Sequence, residues 1–177
     1  MTQFDEAKHN RASDGKFANK PHAEADSVNL ATQGSVAPPT IPANLEAVGF
    51  NLERATGTYL GVALESNRER LEEKAEEKGV EPFFLVYDFD ARSEAKAASD
   101  LAEFLTANAE DVETAVTEHG ASERDVAYAF WLSRSGYGPG FFDTDYGDVT
   151  HRLEDAAQGF AFDGDIALGE DGTLSLG

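Results

Sequence analysis

The sequence predicts an α+β fold: a small antiparallel sheet of two C-terminal β-hairpins packed with helices, behind a disordered N-terminal tail. Three observations predict it. Apolar residues recur at helical spacing over 58–78 and again from Ala97 to Val116. Strand-like alternation sets in at Tyr128, Phe130 and Leu132 and returns in "DIALGEDGTLSLG" near the end of the chain. The order is helix, strand, helices, hairpin, helix, hairpin, with no internal repeat, which suits helices covering one small sheet. A chain of 177 residues can hold one domain with a real core and a tail.

Residues 1–42 lack a sustained apolar period and are rich in Ala, Asn, Ser, Asp, Lys and Pro. They read as a disordered tail, and Pro38, Pro39 and Pro42 stiffen its end into a linker. Residues 43–177 then form a single acidic domain. In it, Tyr59, Leu60, Leu64, Leu71 and Ala75 mark a helix of 58–78 whose narrow apolar stripe leaves it mostly solvated or packed on a partner chain. Arg68 with Glu72 and Lys74 with Glu77 are spaced to pair along it, and Gly79 is placed to cap its end. Pro82 opens a buried strand candidate, Phe83 to Tyr87.

Ala97, Leu101, Phe104, Leu105, Val112, Ala115 and Val116 follow as one long helix, or as two joined near Asn108, ending at His119-Gly120. The opposite face carries Asp100, Glu103, Glu110, Asp111, Glu113 and Glu118 in rows. In "FWLSRSGYGPGFFD", residues 130–143, a hairpin with its loop near 134–138 is the simplest reading, and a helix from Ser122 to Leu132 is the alternative. There the glycines make a tight turn that lets Trp131 and the phenylalanines pack, and Arg134 pairs with local carboxylates. Asp148 is placed to cap a helix carrying Val149, Leu153, Ala156 and Phe160, with Gly159 at its end. Asp171-Gly172 then turns the final hairpin.

Composition removes several chemistries. With no cysteine there is no disulfide, thiolate zinc site or cysteine nucleophile. No apolar run is long enough to span a membrane, and Met1–Asn10 has no secretion-signal core. Gly136, Gly138 and Gly140 lack the lysine and the following helix of a phosphate loop. Ser133 and Ser135 are not flanked as in a nucleophile elbow, and a triad of Ser135, His151 and an acid can be drawn only because acids are everywhere. Asp143, Asp145 and Glu154 hold positions 1, 3 and 12 of a calcium loop, but Gly147 and Asp148 stand in reversed order. The pairs Asp88/Asp90 and Asp163/Asp165 have nothing to complete a site, and no spacing selects a glycosidase pair of carboxylates. No catalytic residue, cofactor or metal site is therefore assigned.

Charge carries the functional reading. Thirty-four acids against 14 bases give a net charge of −20. Residues 80–177 alone hold 21 acids and five bases. Such a surface repels nucleic acid backbones and anionic lipids and attracts basic partners.

Two stretches resemble known proteins. Phe4, His9, Arg11, Gly15 and Phe17 resemble an N-terminal element of actinobacterial phage and plasmid proteins. Phe130, Trp131, Leu132, Ser133, Arg134, Gly138, Gly140, Phe141, Phe142 and Asp143 resemble the F-W-L-[ST]-R-x-x-x-G-x-G-F-[FW]-D motif of small acidic phage and mobile-element proteins, a family with no established activity. The likeness covers 122–176. It implies an accessory protein of the bacterial cytoplasm and carries over no catalytic residue.

Charge and resemblance together point to a non-enzymatic protein that binds a basic protein surface. The sharp form is an anti-restriction or anti-CRISPR inhibitor. It would present Asp100, Glu103, Glu110, Asp111, Glu113 and Glu118 as a DNA mimic to a host nucleic-acid-binding defence complex. No direct contact with nucleic acid or membrane is expected, and a homo-oligomer stays open. Two alternatives stand beside this: an interaction protein whose acidity serves solubility or high-salt adaptation, and a divalent-metal-dependent enzyme or accessory using Asp143, Asp145 and His151.

Overall fold

In the computed structural model the described residues are 38–160, 162 and 164–177. The tail with Phe4, His9, Arg11, Gly15 and Phe17, together with Asp163, lies outside them. The chain forms α1 (Ala43–Ala47), α2 (Leu52–Ser66), α3 (Arg68–Lys78), α4 (Ala91–Ala107), α5 (Ala109–His119), α6 (Glu123–Ser135), α7 (Val149–Gln158), β1 (Ile166–Leu168) and β2 (Leu174–Leu176). The fold is α+β, mostly helical, with one antiparallel pair of strands in the register Ile166↔Leu176, Ala167↔Ser175 and Leu168↔Leu174.

Local chemistry sets most boundaries. Asn51 and Asp90 accept the backbone N–H of Arg54 and Ser93 and so start α2 and α4. Asn67 interrupts the expected 58–78 helix, dividing α2 from α3, and its buried amide donates to the Ala63 and Gly164 carbonyls. Asn108 likewise separates α4 from α5. The mixed-sign pair that forms near the start of α3 is Arg68 with Glu65.

The sheet is smaller than the sequence suggests. The first hairpin does not form, because its outer strand is the body of α6. Ser122 accepts the Asp125 N–H, while Asp125 accepts from the Ser122 backbone, closing a capping box. Val126, Ala127, Ala129, Phe130, Trp131, Ser133 and Arg134 are all buried on α6. A helix enclosed on most sides shows no clean period of 3.6, so its aromatic residues read as alternating. The segment 83–87 is no strand either. Asp88 accepts the Leu85 N–H at 2.6 Å and folds Val86–Asp88 into a 3-10 turn. Phe83 is left 73% exposed. Only Phe89 bridges β2, at Leu174.

The core gathers α2, α4 and α6 around the aromatic residues. Tyr59, Phe104, Phe130, Trp131 and Phe141 are fully buried. Phe104 stacks on Phe130 with ring centres 4.3 Å apart, and Tyr59 meets Trp131 edge-on at 5.0 Å. The Trp131 indole donates to Ser66. The last hairpin turns at Asp171-Gly172 as the sequence predicts, with Asp171 accepting the Thr173 N–H. Its inward residues Ile166, Leu168, Leu174 and Leu176 join the core.

α7 begins after Asp148, but Asp148 does not cap it. Its backbone is already helical (φ −66°, ψ −21°), so its side chain makes no capping bond.

Candidate functional site

Two buried polar joints hold the motif segment against the helices that carry the acids. The first is built on Arg134, only 5% exposed at the end of α6. Its guanidinium donates to Asp100 at 2.8 Å, to the Tyr59 hydroxyl at 2.8 Å and to the Phe160 carbonyl at 3.0 Å. It also lies 4.1 Å from the centre of the Phe162 ring. The Arg134 partners are thus not local carboxylates: the acid comes from α4. Burial raises the Tyr59 hydroxyl above the usual tyrosine range, against the opposing charge of Arg134.

The second joint explains the spacing between Ser133 and Gly140. Gly140 starts a 3-10 turn, Gly140–Asp143, with φ +55°. A Cβ on it would stand 1.9 Å from Ser133 Oγ and 2.7 Å from Ser133 N. That close approach delivers the Phe141 N–H to Glu154 at 3.0 Å, where the carboxylate also accepts from Ser133 Oγ at 2.6 Å and from Gln158 at 2.9 Å. Glu154, 3% exposed, is therefore a structural acceptor. Its partners occupy both oxygens, so the calcium-loop spacing fails: Asp143 and Asp145 lie exposed, and Glu154 points into the protein. Among the described residues no group of three His, Asp or Glu side chains is placed to hold a metal. His151, offered with them for catalysis, packs edge-on to Phe142.

The six acids expected to form rows divide into two sets. Asp100 binds Arg134 and Lys96. Asp111 takes both ends of the Arg152 fork at 2.6 and 2.9 Å, tying α5 to α7. Glu113 accepts from Asn44 at 2.7 Å, tying α1 to α5. These three are half-buried, while Glu103, Glu110 and Glu118 are exposed. Glu110 and Glu118 stand about 12 Å apart along α5 at the helical rise. The expected rows are thus interrupted, and the solvent-facing acids include Asp143, Asp145, Asp148 and Asp155 from the C-terminal third.

No family model, curated protein or solved structure matches the chain.

Beside the acids, an open cavity of about 330 Å³ has His119, Asp125, Tyr128, Asp143, Thr144 and Tyr146 in its wall. Tyr146 is pushed up to about 12 by burial and by the charge of Asp125, so at neutral pH its hydroxyl keeps its proton. Sequence reasoning missed this cavity because its parts come from three separate elements. It also missed the structural role of Glu154: on a helix carrying Val149, Leu153 and Ala157, position 154 lies about 100° from the middle of the apolar stripe, so periodicity gave no signal. No helix among the described residues is long and apolar enough to cross a membrane.

Proposed function

We propose that the chain is a non-enzymatic acidic binding protein that engages the basic, nucleic-acid-binding surface of a partner. In its sharpest form it is a DNA-mimicking inhibitor of a host restriction or CRISPR complex, made by a phage or plasmid in the bacterial cytoplasm. The observation that carries the reading is an acid excess that the bases of the same fold do not balance. Residues 38–177 hold 29 acids and ten bases. The six ion pairs among the described residues engage six of those bases with only five acids. Exposed carboxylates on rigid helices meet the same lysines and arginines that bind phosphates, and they steer association at a distance. Asp100, Asp111 and Glu113 act as internal braces, leaving Glu103, Glu110 and Glu118 to face the partner. The likeness of 122–176 to phage and mobile-element proteins supplies a setting in which such inhibition is useful.

The test is capture from a bacterial lysate at low and high salt, with each retained protein then challenged by duplex DNA. The reading expects a nucleic-acid-binding protein whose affinity falls at least about tenfold between roughly 50 and 200 mM salt. DNA should displace it, and Glu103→Gln, Glu110→Gln and Glu118→Gln together should weaken it. Affinity flat across that salt range, or a captured protein indifferent to DNA, sinks the reading.

A further inference from the structure

α2 borders two open grooves that take no part in either buried joint. The first, of about 600 Å³, lies between α2, α4 and the 3-10 turn Val86–Asp88, and Leu52, Leu60, Val86 and Ala98 make its lining largely apolar. The second, of about 410 Å³, lies between α2 and α6, with Val62, Leu132 and the exposed Tyr128 in its wall. Gly57 and Gly61 stand one turn apart inside α2, and around the helix axis they fall between the residues of the two grooves. Glycine is the poorest helix former after proline, so inside a helix it normally answers to a neighbour that needs the space. No neighbour in this fold does. Nothing lies within 4 Å of a Cβ on Gly57, and a Cβ on Gly61 would meet only Val86, at an ordinary 3.8 Å. The two glycines leave a notch that opens outward between the grooves.

We propose that the Gly57–Gly61 notch and its two grooves receive a helix of the basic partner. The inference rests on the acidic-binding reading above and names a second element of the contact, apart from Glu103, Glu110 and Glu118. Glycines one turn apart let another helix axis come close, and side chains on either side of its line of contact then drop into the grooves. Charge selects the occupant. Glu53 and Glu94 line the first groove and Glu65 the second, and no base lines either. Glu53 and Glu94 make no ion pair among the described residues. A second copy of this chain would bring the same glutamates face to face, and nucleic acid or an anionic lipid surface would meet them as like charge. A helix with small and apolar residues on one face and lysine or arginine at its edges covers the grooves and pairs those acids.

Peptides of about 18 residues, built to be helical and randomised along one face, are selected on the immobilised full chain, and the survivors' affinities are measured in solution. Survivors should carry small and apolar residues one turn apart, flanked by lysine or arginine. Gly57→Leu should weaken them at least about tenfold by filling the notch, and Glu53→Gln with Glu94→Gln about two- to fivefold. Gly57→Leu should keep or raise the urea midpoint, because it replaces an exposed helical glycine and its Cβ meets nothing, so lost binding is not lost fold. Survivors that lack bases, or that bind Gly57→Leu as tightly, overturn the proposal, as does a fall in its urea midpoint. So does a wild-type chain that sediments as a dimer and becomes monomeric with Gly57→Leu, which gives the notch to a second copy. Basic survivors weakened only by the Glu103, Glu110 and Glu118 substitutions overturn the notch while leaving the acidic-surface reading standing. A notch that binds as expected, with no nucleic-acid-binding protein captured from lysate, upholds the notch and overturns the nucleic-acid part of that reading alone.

Discussion

Replacing Gly140 with alanine tests whether the motif glycine is a packing joint. Two effects add at this site. An L-residue at φ +55° carries a left-handed penalty of about 1–2 kcal/mol. The new Cβ also has to clear Ser133 Oγ at 1.9 Å, Ser133 N at 2.7 Å and Ser133 Cβ at 2.8 Å. Because backbone is among those atoms, a rotamer change cannot relieve the clash. The turn has to move away from α6, adding about 1–3 kcal/mol of overpacking. That movement also weakens the Phe141 and Ser133 bonds to buried Glu154, for a total near 3–5 kcal/mol.

Gly136 supplies the control. It has φ +69°, but nothing lies within 4 Å of its would-be Cβ, so Gly136→Ala keeps only the backbone penalty. Urea unfolding followed by Trp131 fluorescence compares the two, since the single tryptophan is fully buried and reports the packed state. With a slope of about 2 kcal/mol per molar, Gly140→Ala should lower the midpoint by about 2 M and Gly136→Ala by about 0.5–1 M. Adding Ser133→Ala to Gly140→Ala should not restore stability, because Ser133 N and Cβ still block the site. If the two glycine variants unfold within about 1 kcal/mol of each other, the joint is not where the structure puts it.

Arg134→Met should destabilise by about 3–5 kcal/mol in the same assay by leaving Asp100 and the Tyr59 hydroxyl without their buried partner, and Arg134→Lys should recover little because one ammonium cannot span the three acceptors. A loss below about 1 kcal/mol for Arg134→Met would contradict this. Glu154→Leu strands the Ser133 hydroxyl proton, while the Phe141 N–H keeps Ser133 Oγ as its acceptor at 3.0 Å, and should lose about 1–3 kcal/mol, whereas Glu154→Gln, which keeps an acceptor, should lose less. Equal losses would mean that acceptance by residue 154 is unimportant. In alkali, the raised Tyr59 keeps its proton when folded and loses it when unfolded. Its stabilisation is present below the ordinary tyrosine pKa of about 10 and fades as pH rises above it, by up to about 1.4 kcal/mol per unit. Tyr59→Phe should flatten that slope in urea melts above pH 10, and an unchanged slope would refute the assignment.

The sequence was most informative where structure is decided by neighbours along the chain. Asp171-Gly172 between alternating apolar residues specified the last hairpin, and Asn108 and Gly120 marked where α4 and α5 end. The capping box at Ser122 and Asp125 is just as local, and it outweighs the aromatic alternation after it, because one end of a helix is fixed by bonds three residues apart. By itself the sequence also determined the acid excess, the absence of cysteine and the glycine spacing of 130–143.

Tertiary structure alone decided which acids face solvent and which brace the fold. Asp100 meets Arg134 across 34 positions, Asp111 meets Arg152 across 41, and Arg134 reaches Tyr59 across 75. No local propensity encodes such pairs. The Arg134 bonds form because burying the aromatic core brings α2, α4 and α6 together, and a charged group carried into that interior has to be paired, whereas Asp111 and Arg152 meet on the surface where α5 lies beside α7. The same packing turned Glu154 inward and placed Gly140 against Ser133.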